Sequence, residues 1–122
     1  MKNVLKKARH GFTLVEIMIV VLIIGILLAI AVPNFIRARE SSRAKSCVAN
    51  LKQIDSAKEQ WAMDNNKQNG ATVAMTDLVN GAAGYIKSTP GCPSGGTYTV
   101  SNVGTNPSCS IGGTGSTAHV LP

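Results

Sequence analysis

An apolar segment that begins at Ile17 is the feature that most constrains this chain. Residues 17–36 carry no charged side chain, are rich in Ile, Val and Leu, and are apolar on every side of a helix. Twenty residues at a rise of 1.5 Å span about 30 Å, the thickness of the hydrocarbon core of a bilayer. The run is too long for a buried strand, and it lacks the polar face of a helix that lies on a membrane surface. The sequence therefore predicts a membrane-inserted helix.

The basic charge of the chain is concentrated ahead of this segment. The 122 residues carry a net charge of +6, but four of the 12 Lys and Arg residues precede Gly11, which leaves +2 for the remainder. This distribution gives little support for nucleic-acid binding. A secretory signal peptide would have a shorter apolar run, followed by a small-residue cleavage site. Here the small residue at a sharp boundary is Gly11, before the run, so cleavage would remove the polar leader and leave the apolar segment as the new N-terminus.

A carboxylate, Glu16, stands at the edge of the apolar segment. An unpaired carboxylate costs roughly 2.5–3.5 kcal/mol at the centre of a membrane helix. Two interpretations follow: Glu16 lies solvated at the headgroup level, or it pairs with a positive charge. Cleavage after Gly11 would create such a charge, the α-amino group of Phe12, for a pair within one helix or between neighbouring subunits.

The stretch KKARHGFTLVEIMIVVLIIGILLAIAVPNF, residues 6–35, resembles the N-terminus of type IV pilins and of the pseudopilins of type II secretion. The shared pattern is a short basic leader that ends in Gly, then Phe-Thr-Leu-Val-Glu, then a long apolar helix. The resemblance implies that a membrane prepilin peptidase cleaves between Gly11 and Phe12 and N-methylates Phe12. It also implies that Glu16 pairs with the Phe12 amine of a neighbour during filament assembly, and that the leader faces the cytoplasm.

Gly25 and Pro33 are the two helix-weakening residues of the apolar segment. Pro33 removes one backbone hydrogen bond, and Gly25 has a low helix propensity. A simple kink, which is common in membrane helices, is one interpretation. By analogy with related pili, the other is that the helix between Gly25 and Pro33 stretches when it packs into a filament.

Residues 37–64 are predicted to continue the helix with an amphipathic face. Apolar residues recur at helical spacings, interrupted by Asp55 and Lys58, and Gly70 is the expected stop. The face predicted to be buried comprises Ala44, Cys47, Val48, Leu51, Ile54 and Trp61. The basic residues at its start are expected to contact lipid phosphates, with DNA binding as the weaker alternative: Arg37, Arg39, Arg43 and Lys45.

Residues 65–122 predict a small head that joins a short helix to a hairpin. Thr76 is expected to cap a helical turn through Val79. Residues 95–104 alternate as a strand does, and residues 108–113 are the expected returning strand. An antiparallel sheet of two or three strands is not stable alone, so it needs the helix face and a staple.

The three cysteines suggest that staple. Cys92 and Cys109 flank the hairpin, and a disulfide that closes their loop of about 18 residues would contribute roughly 3 kcal/mol. Cys47 lies on the helix stripe and is predicted to be a buried free thiol, with pairing to another cysteine as the alternative. The spacing of Cys92, Cys109 and His119 is too loose for a zinc motif, so no metal or cofactor is predicted, and His119 is expected at the surface. After Asp77 the chain has no Asp or Glu, which argues against the acidic calcium site of many major type II pseudopilins.

The sequence contains no pattern typical of an active site, neither a Ser/His/Asp arrangement nor paired carboxylates nor a phosphate loop, and the chain is predicted not to be an enzyme. The predicted fold class is α+β and pilin-like, with four parts. They are a cleaved leader (1–11), a transmembrane or filament-core helix (12–36), its amphipathic continuation (37–64) and a disulfide-stapled head (65–122).

The predicted function is that of a structural subunit of a type IV pilus-like filament, held together by helical contacts. A type II secretion major pseudopilin and a competence pilus subunit are the close alternatives. A single-span, membrane-anchored binding protein is the alternative from another class. The expected partners are copies of the chain itself, the prepilin peptidase, the inner-membrane assembly machinery and membrane lipids. The precursor is expected in a bacterial inner membrane, and the product in an extracellular pilus or a periplasmic pseudopilus.

Overall fold

A computed structural model describes residues 9–79 and 84–122 of the chain. In chain order the elements are α1 (Leu14–Asp64), α2 (Met75–Val79), β1 (Tyr98–Thr99), β2 (Ser108–Cys109) and a 3-10 turn (Gly115–Thr117). The chain divides into two compact units, the first ending at Ile36 and the second beginning at Arg37. A long N-terminal helix followed by a small antiparallel sheet confirms the predicted α+β class.

The first unit contains the apolar part of α1. Within the described residues, α1 includes a stretch long and apolar enough to cross a membrane, and none of that stretch is buried. Water contact with so much apolar surface is unfavourable, at about 25 cal/mol per Å². This part of α1 therefore requires lipid or other protein chains around it.

Pro33 lies inside α1 without ending it. Because proline has no backbone N–H, the carbonyl of Ala29 loses its helical donor. In the same turn, the side-chain amide of Asn34 donates to the carbonyl oxygen of Ile30 at 3.3 Å. The helix is thus continuous but short of one hydrogen bond, and the stretching of the Gly25–Pro33 segment in a filament stays a prediction.

Asn66, rather than Gly70, brings α1 to its end. Asn66 adopts a left-handed backbone conformation with φ of 51°. The N–H of Lys67 donates to the carbonyl of Ala62 at 2.8 Å, and the N–H of Asn66 donates to that of Met63 at 3.3 Å. This pair of bonds is the Schellman motif, which satisfies the last carbonyls of a helix. The helix ends at Asp64, the end predicted from the sequence, but Asn66 and not Gly70 supplies the stop, because Asn also tolerates the left-handed region.

The second unit is built on the predicted face of α1. The residues of α1 that are buried are Ala44, Cys47, Leu51, Ile54, Ala57, Lys58 and Ala62. One apolar cluster joins Ile54 to Leu78, Ile86 and Val103, and a second joins Leu51 to two of the cysteines. Val48 and Trp61 of the predicted face are only half-buried.

The short helix and the hairpin lie where they were predicted, with differences at their ends. The carboxylate of Asp77 accepts a hydrogen bond from the N–H of Ala74 at 2.9 Å, so Asp77 rather than Thr76 supports the start of α2. The strands β1 and β2 pair antiparallel, with Tyr98 opposite Cys109. Each strand is only two residues long.

Candidate functional site

The predicted cleavage position lies in the exposed segment that precedes α1. Residues 9–13 have no regular secondary structure, and the Phe12 side chain is 88% exposed. A Cβ atom added at Gly11 would meet no other group within 4 Å. The Gly11–Phe12 peptide bond therefore lies in an open part of the described chain, although its cleavage stays a prediction.

Glu16 and Thr13 form a reciprocal hydrogen-bond pair at the start of α1. The N–H of Thr13 donates to Oε2 of Glu16 at 3.0 Å, and the N–H of Glu16 donates to Oγ1 of Thr13 at 3.2 Å. This capping box satisfies two backbone donors that a helix N-terminus otherwise leaves unpaired. A negative charge at this end is also favoured by the helix dipole. The sequence signal for this cap is the spacing Thr-x-x-Glu before an apolar run.

The second unit contains a buried lysine, Lys58. In the sequence it stands out only as a charged residue that interrupts the apolar face of α1. The Lys58 side chain is fully buried, and its ammonium donates to the carbonyl of Val100 at 3.2 Å and to that of Thr105. It also pairs with Oδ1 of Asp55 at 3.4 Å. Buried charges are tolerated when paired and hydrogen-bonded in this way. Lys58 therefore fastens the loop between the two strands to α1.

Three sulfur atoms and one imidazole converge in the second unit. One potential ligand atom from each of Cys47, Cys92, Cys109 and His119 lies within 4.8 Å of the others. Sγ of Cys92 lies 3.5 Å from Nδ1 of His119. All three cysteines lie in the described part of the chain and are free thiols there, so the Cys92–Cys109 disulfide stays a prediction.

One expectation about this cluster was wrong. His119 is not a surface residue, because only 3% of it is exposed. The fold brings these four residues together from distant segments of the chain, so their loose spacing in the sequence does not describe their proximity in space. Cys47 supplies the fourth group, although it was predicted from the sequence only as a buried free thiol.

Each member of the cluster is positioned by a different local structure. Cys47 lies on α1 and Cys109 on β2. Cys92 opens a tight turn in which the N–H of Gly95 donates to the Cys92 carbonyl at 3.0 Å. His119 follows the 3-10 turn, and its N–H donates to the carbonyl of Gly112 at 2.7 Å.

The cluster places its thiols in different electrostatic environments. Burial raises the pKa of Cys47 to about 12. Burial also acts to raise the pKa of Cys92, but hydrogen bonds from the backbone N–H groups of Ser94 and Gly96 outweigh it, and the pKa is lowered to about 7. The thiol of Cys92 therefore loses its proton more readily than the thiol of Cys47.

A polar side chain supports the cluster from α1. The amide nitrogen of Asn50 lies 3.0 Å from the carbonyl oxygen of Gly91 and 3.0 Å from the hydroxyl oxygen of Tyr98. Burial raises the pKa of Tyr98, and so does its hydrogen bond with Cys47. Asn50 therefore connects α1 to both the residue before Cys92 and the residue opposite Cys109.

Comparison with known proteins agrees with the features of the N-terminus. The family model of the prokaryotic N-terminal methylation motif matches residues 6–32. Type II secretion system core protein G of Aeromonas hydrophila is 31% identical over 104 residues, which cover 76% of this chain and 73% of the relative. The chain belongs to the family of type IV pilins and type II secretion pseudopilins. The family resemblance of its N-terminus is thereby confirmed.

Two further relatives of this pilin-family chain differ in how far the similarity extends. The ComG operon protein 3 homolog of Bacillus licheniformis is 34% identical over 92 residues, 75% of this chain and 90% of the relative. The type IV major pilin protein PilA of Myxococcus xanthus is 46% identical over 58 residues, 48% of this chain and 26% of the relative. The comparison with solved structures gives no significant match.

Proposed function

We propose that this pilin-family chain is a structural, non-catalytic subunit of a pilus-like helical filament, processed at its N-terminus and assembled through α1. The observation that carries the proposal is the unpartnered apolar surface of the first unit. From Leu14 to Ile36, large apolar side chains are about half exposed or more, and their surface is too great to remain in water. A membrane accommodates it in the precursor, and neighbouring helices accommodate it in a filament.

Processing creates a positively charged α-amino group at Phe12, where the precursor has a neutral peptide bond. Hydrolysis of the Gly11–Phe12 bond consumes one water and yields a Gly11 carboxylate and a Phe12 α-amino group. The exposure of Phe12 and the open space around Gly11 support access by a membrane peptidase. N-methylation of the new amine leaves it basic, so the mature subunit begins with a positive charge.

Glu16 is the proposed partner of that charge. Its Oε2 atom accepts the Thr13 N–H, which leaves Oε1 for a second donor. In a low-dielectric filament core, a carboxylate and an ammonium attract each other strongly, and either one alone is costly. Pairing Glu16 of one subunit with Phe12 of the next would therefore set the register of neighbouring helices.

Contacts between unlike surfaces of successive subunits build open helical filaments. The proposed filament places the apolar parts of the α1 helices in its core. The partners proposed with it are the prepilin peptidase, the inner-membrane assembly machinery and membrane lipids. We propose a bacterial inner membrane as the location of the precursor.

The extent of the similarity supports a second candidate, a secretion-type or competence-type filament. Core protein G and the ComG operon protein 3 homolog align with about three quarters of this chain, which includes much of the second unit. The PilA alignment covers about half of it. This difference supports a secretion-type or competence-type filament more than the type IV pilus, which is the first prediction from the sequence although the N-terminal motif is shared by all three.

Fractionation of producing cells tests the proposal. The cells are sheared, and the sheared surface material and the remaining envelope are sedimented separately. The chain is expected in large assemblies that denaturing detergent dissociates. Recovery from the surface material indicates a pilus, and recovery only from the envelope indicates a short pseudopilus. A chain that is monomeric in both fractions after mild detergent extraction would contradict a filament role.

A further inference from the structure

The cluster of Cys47, Cys92, Cys109 and His119 has no part in filament assembly as proposed above. We propose that these four side chains bind one Zn²⁺ ion, which fastens the second unit together. This inference rests on the geometry of the cluster and is independent of the proposed function.

The distances within the cluster suit a single tetrahedral ion. With Zn–S bonds near 2.3 Å and Zn–N bonds near 2.0–2.1 Å, sulfur and nitrogen ligands lie about 3.6 Å apart and two sulfur ligands about 3.8 Å apart. Sγ of Cys92 and Nδ1 of His119 are 3.5 Å apart, and all four ligand atoms lie within 4.8 Å of one another. Small side-chain movements therefore suffice to bring all four to bonding distance.

The chemistry of the four ligand atoms, three sulfurs and one nitrogen, indicates which metal the cluster would bind. Three thiolates and one imidazole are soft and borderline ligands, which suit Zn²⁺ and not the oxygen-binding Ca²⁺ or Mg²⁺. A Cys₃His set with every position filled by protein is typical of structural zinc sites, whereas catalytic sites keep one position open. The assigned role is therefore structural.

The surroundings of the cluster resemble the outer layer of a metal site. Cys92 opens a tight turn in which the N–H of Gly95 donates to the Cys92 carbonyl at 3.0 Å, and this turn fixes the backbone at the ligand. A Cβ atom at Gly96 would lie 2.7 Å from Sγ of Cys109, so only glycine permits this close approach. Tyr98 packs against the cluster that contains Cys47 and Cys109, and its hydroxyl lies 3.0 Å from the Asn50 amide. Such contacts around the ligands restrict their orientation.

A zinc ion would connect more of the fold than the predicted disulfide would. The four ligands come from α1, the turn at Cys92, β2 and the segment after the 3-10 turn. A Cys92–Cys109 bond would join only two of these segments. It would leave the Cys47 thiol and the His119 ring buried beside it without a common partner.

Binding requires no oxidant. Zn²⁺ replaces the protons of up to three thiols, these protons pass to solvent, and the imidazole binds through its neutral nitrogen. No electron is transferred. Disulfide formation would instead remove two electrons and two protons from a pair of thiols, and this difference allows the two states to be distinguished.

The test uses the full chain purified in detergent without chelators. Elemental analysis is expected to give one zinc per chain, and the three thiols should react with a thiol reagent only after a chelator removes the metal. The chain is then stripped under reducing conditions and titrated with Zn²⁺ or Co²⁺. One Co²⁺ per chain should bind, with the intense visible bands of tetrahedral cobalt and the charge-transfer band of cobalt–thiolate bonds.

Variants separate ligation from general disturbance of the fold. Cys47→Ser and His119→Ala should each lose metal affinity by tenfold or more, on the order of 1.4 kcal/mol per factor of ten. His119→Cys should retain Co²⁺ and shift its visible bands, since it exchanges nitrogen for sulfur. The matched control is His10→Ala, which removes the other histidine of the chain and should leave zinc stoichiometry unchanged.

Two results would overturn the proposal. One is a reduced full chain that takes up neither Zn²⁺ nor Co²⁺. The other is metal uptake that survives Cys47→Ser and His119→Ala but is lost in His10→Ala, which would place the metal at the leader.

Discussion

The backbone N–H of Thr13 donates to the carboxylate of Glu16 at 3.0 Å, and this bond places Glu16 in the cap of α1 before any filament forms. The same carboxylate is the proposed partner of the Phe12 amine of a neighbouring subunit. To cap the helix, the Glu16 side chain needs only an oxygen that accepts a hydrogen bond. To pair with an amine, it also needs its negative charge. The two roles can therefore be separated by substitution.

Glu16→Gln is expected to abolish filament assembly while leaving membrane insertion unchanged. Glutamine accepts the same capping hydrogen bond, so α1 should still begin at the same residue. It has no charge to offset a buried Phe12 amine, and an unpaired buried ammonium costs several kcal/mol. The measurement is the amount of chain in sedimented assemblies compared with the amount in membranes.

Thr13→Ala is the matched control for Glu16→Gln. It removes the hydroxyl half of the capping box and should cost about 1 kcal/mol of helix stability while keeping the charge of Glu16. Assembly should therefore survive in Thr13→Ala. Normal filaments from Glu16→Gln, together with lost filaments from Thr13→Ala, would assign Glu16 to capping alone.

Gly11→Val is expected to block removal of the leader without disturbing the fold. Among the described residues, neighbours in the chain aside, no atom lies within 4 Å of a Cβ at this position, so there is room for the larger side chain. Any effect must then arise in the peptidase, which has to accommodate the residue at the scissile bond. The ratio of precursor to mature chain, read by gel or mass, checks this.

Gly25→Ala provides the comparison for Gly11→Val. Gly25 also has open space around its Cβ position, but it lies inside α1. Processing should remain normal in this variant. Efficient processing of Gly11→Val would remove Gly11 from the cleavage site.

Lys58→Met is expected to destabilise the second unit by about 2–4 kcal/mol, since it leaves buried carbonyl acceptors without their charged donor. Those acceptors are the carbonyl oxygens of Val100 and Thr105. Urea unfolding followed by the fluorescence of Trp61, the single tryptophan, measures the change. Trp61 packs against the apolar cluster that includes Val100, so its emission reports on this region.

Lys52→Met, on the exposed face of the same helix, is the control for Lys58→Met. Surface substitutions of this kind usually change stability by no more than about 0.5 kcal/mol. Equal unfolding midpoints for Lys58→Met and the unmodified chain would show that Lys58 does not anchor the loop.

The thiols of the reduced, metal-free chain are expected to react in a fixed order. The thiolate is the reactive form of cysteine. A pH of about 8 is above the pKa of Cys92, about 7, so Cys92 is largely thiolate. The same pH is far below the pKa of Cys47, about 12, so Cys47 stays protonated. Iodoacetamide should therefore modify Cys92 before Cys47, and lowering the pH through about 7 should slow the Cys92 reaction. Peptide mapping of partially modified chain gives the order, and earlier modification of Cys47 would contradict these pKa shifts.

The long-range pattern of the helix was predictable from the sequence, because it depends on periodicity. The apolar run and the recurrence of Ala44, Cys47, Leu51 and Ile54 specify a helix with one buried face. The hairpin was also located, from alternation and turn residues around Tyr98. Its strands are shorter than the alternating pattern suggested, because only two residues of each strand are paired with the other strand.

The residue that ends a helix, and the contacts between residues distant in the sequence, were harder to predict. Asn66 and Gly70 are both residues that tolerate a left-handed backbone, and the sequence does not say which one ends α1. Lys58 was classed as an irregularity because its acceptors lie more than 40 residues away in the chain. The Cys₃His cluster was missed for the same reason, since its members are joined by tertiary folding and not by a short motif.

The intact mass of the chain recovered from sedimented assemblies tests the central claim most directly. A filament subunit is expected to begin at Phe12 and to carry one methyl group on its amine. Such a mass would establish that the leader is removed and that the charge proposed to meet Glu16 exists in the assembled state. A chain that starts at Met1 in both the assemblies and the membrane would contradict the filament account, and would favour a plain membrane anchor.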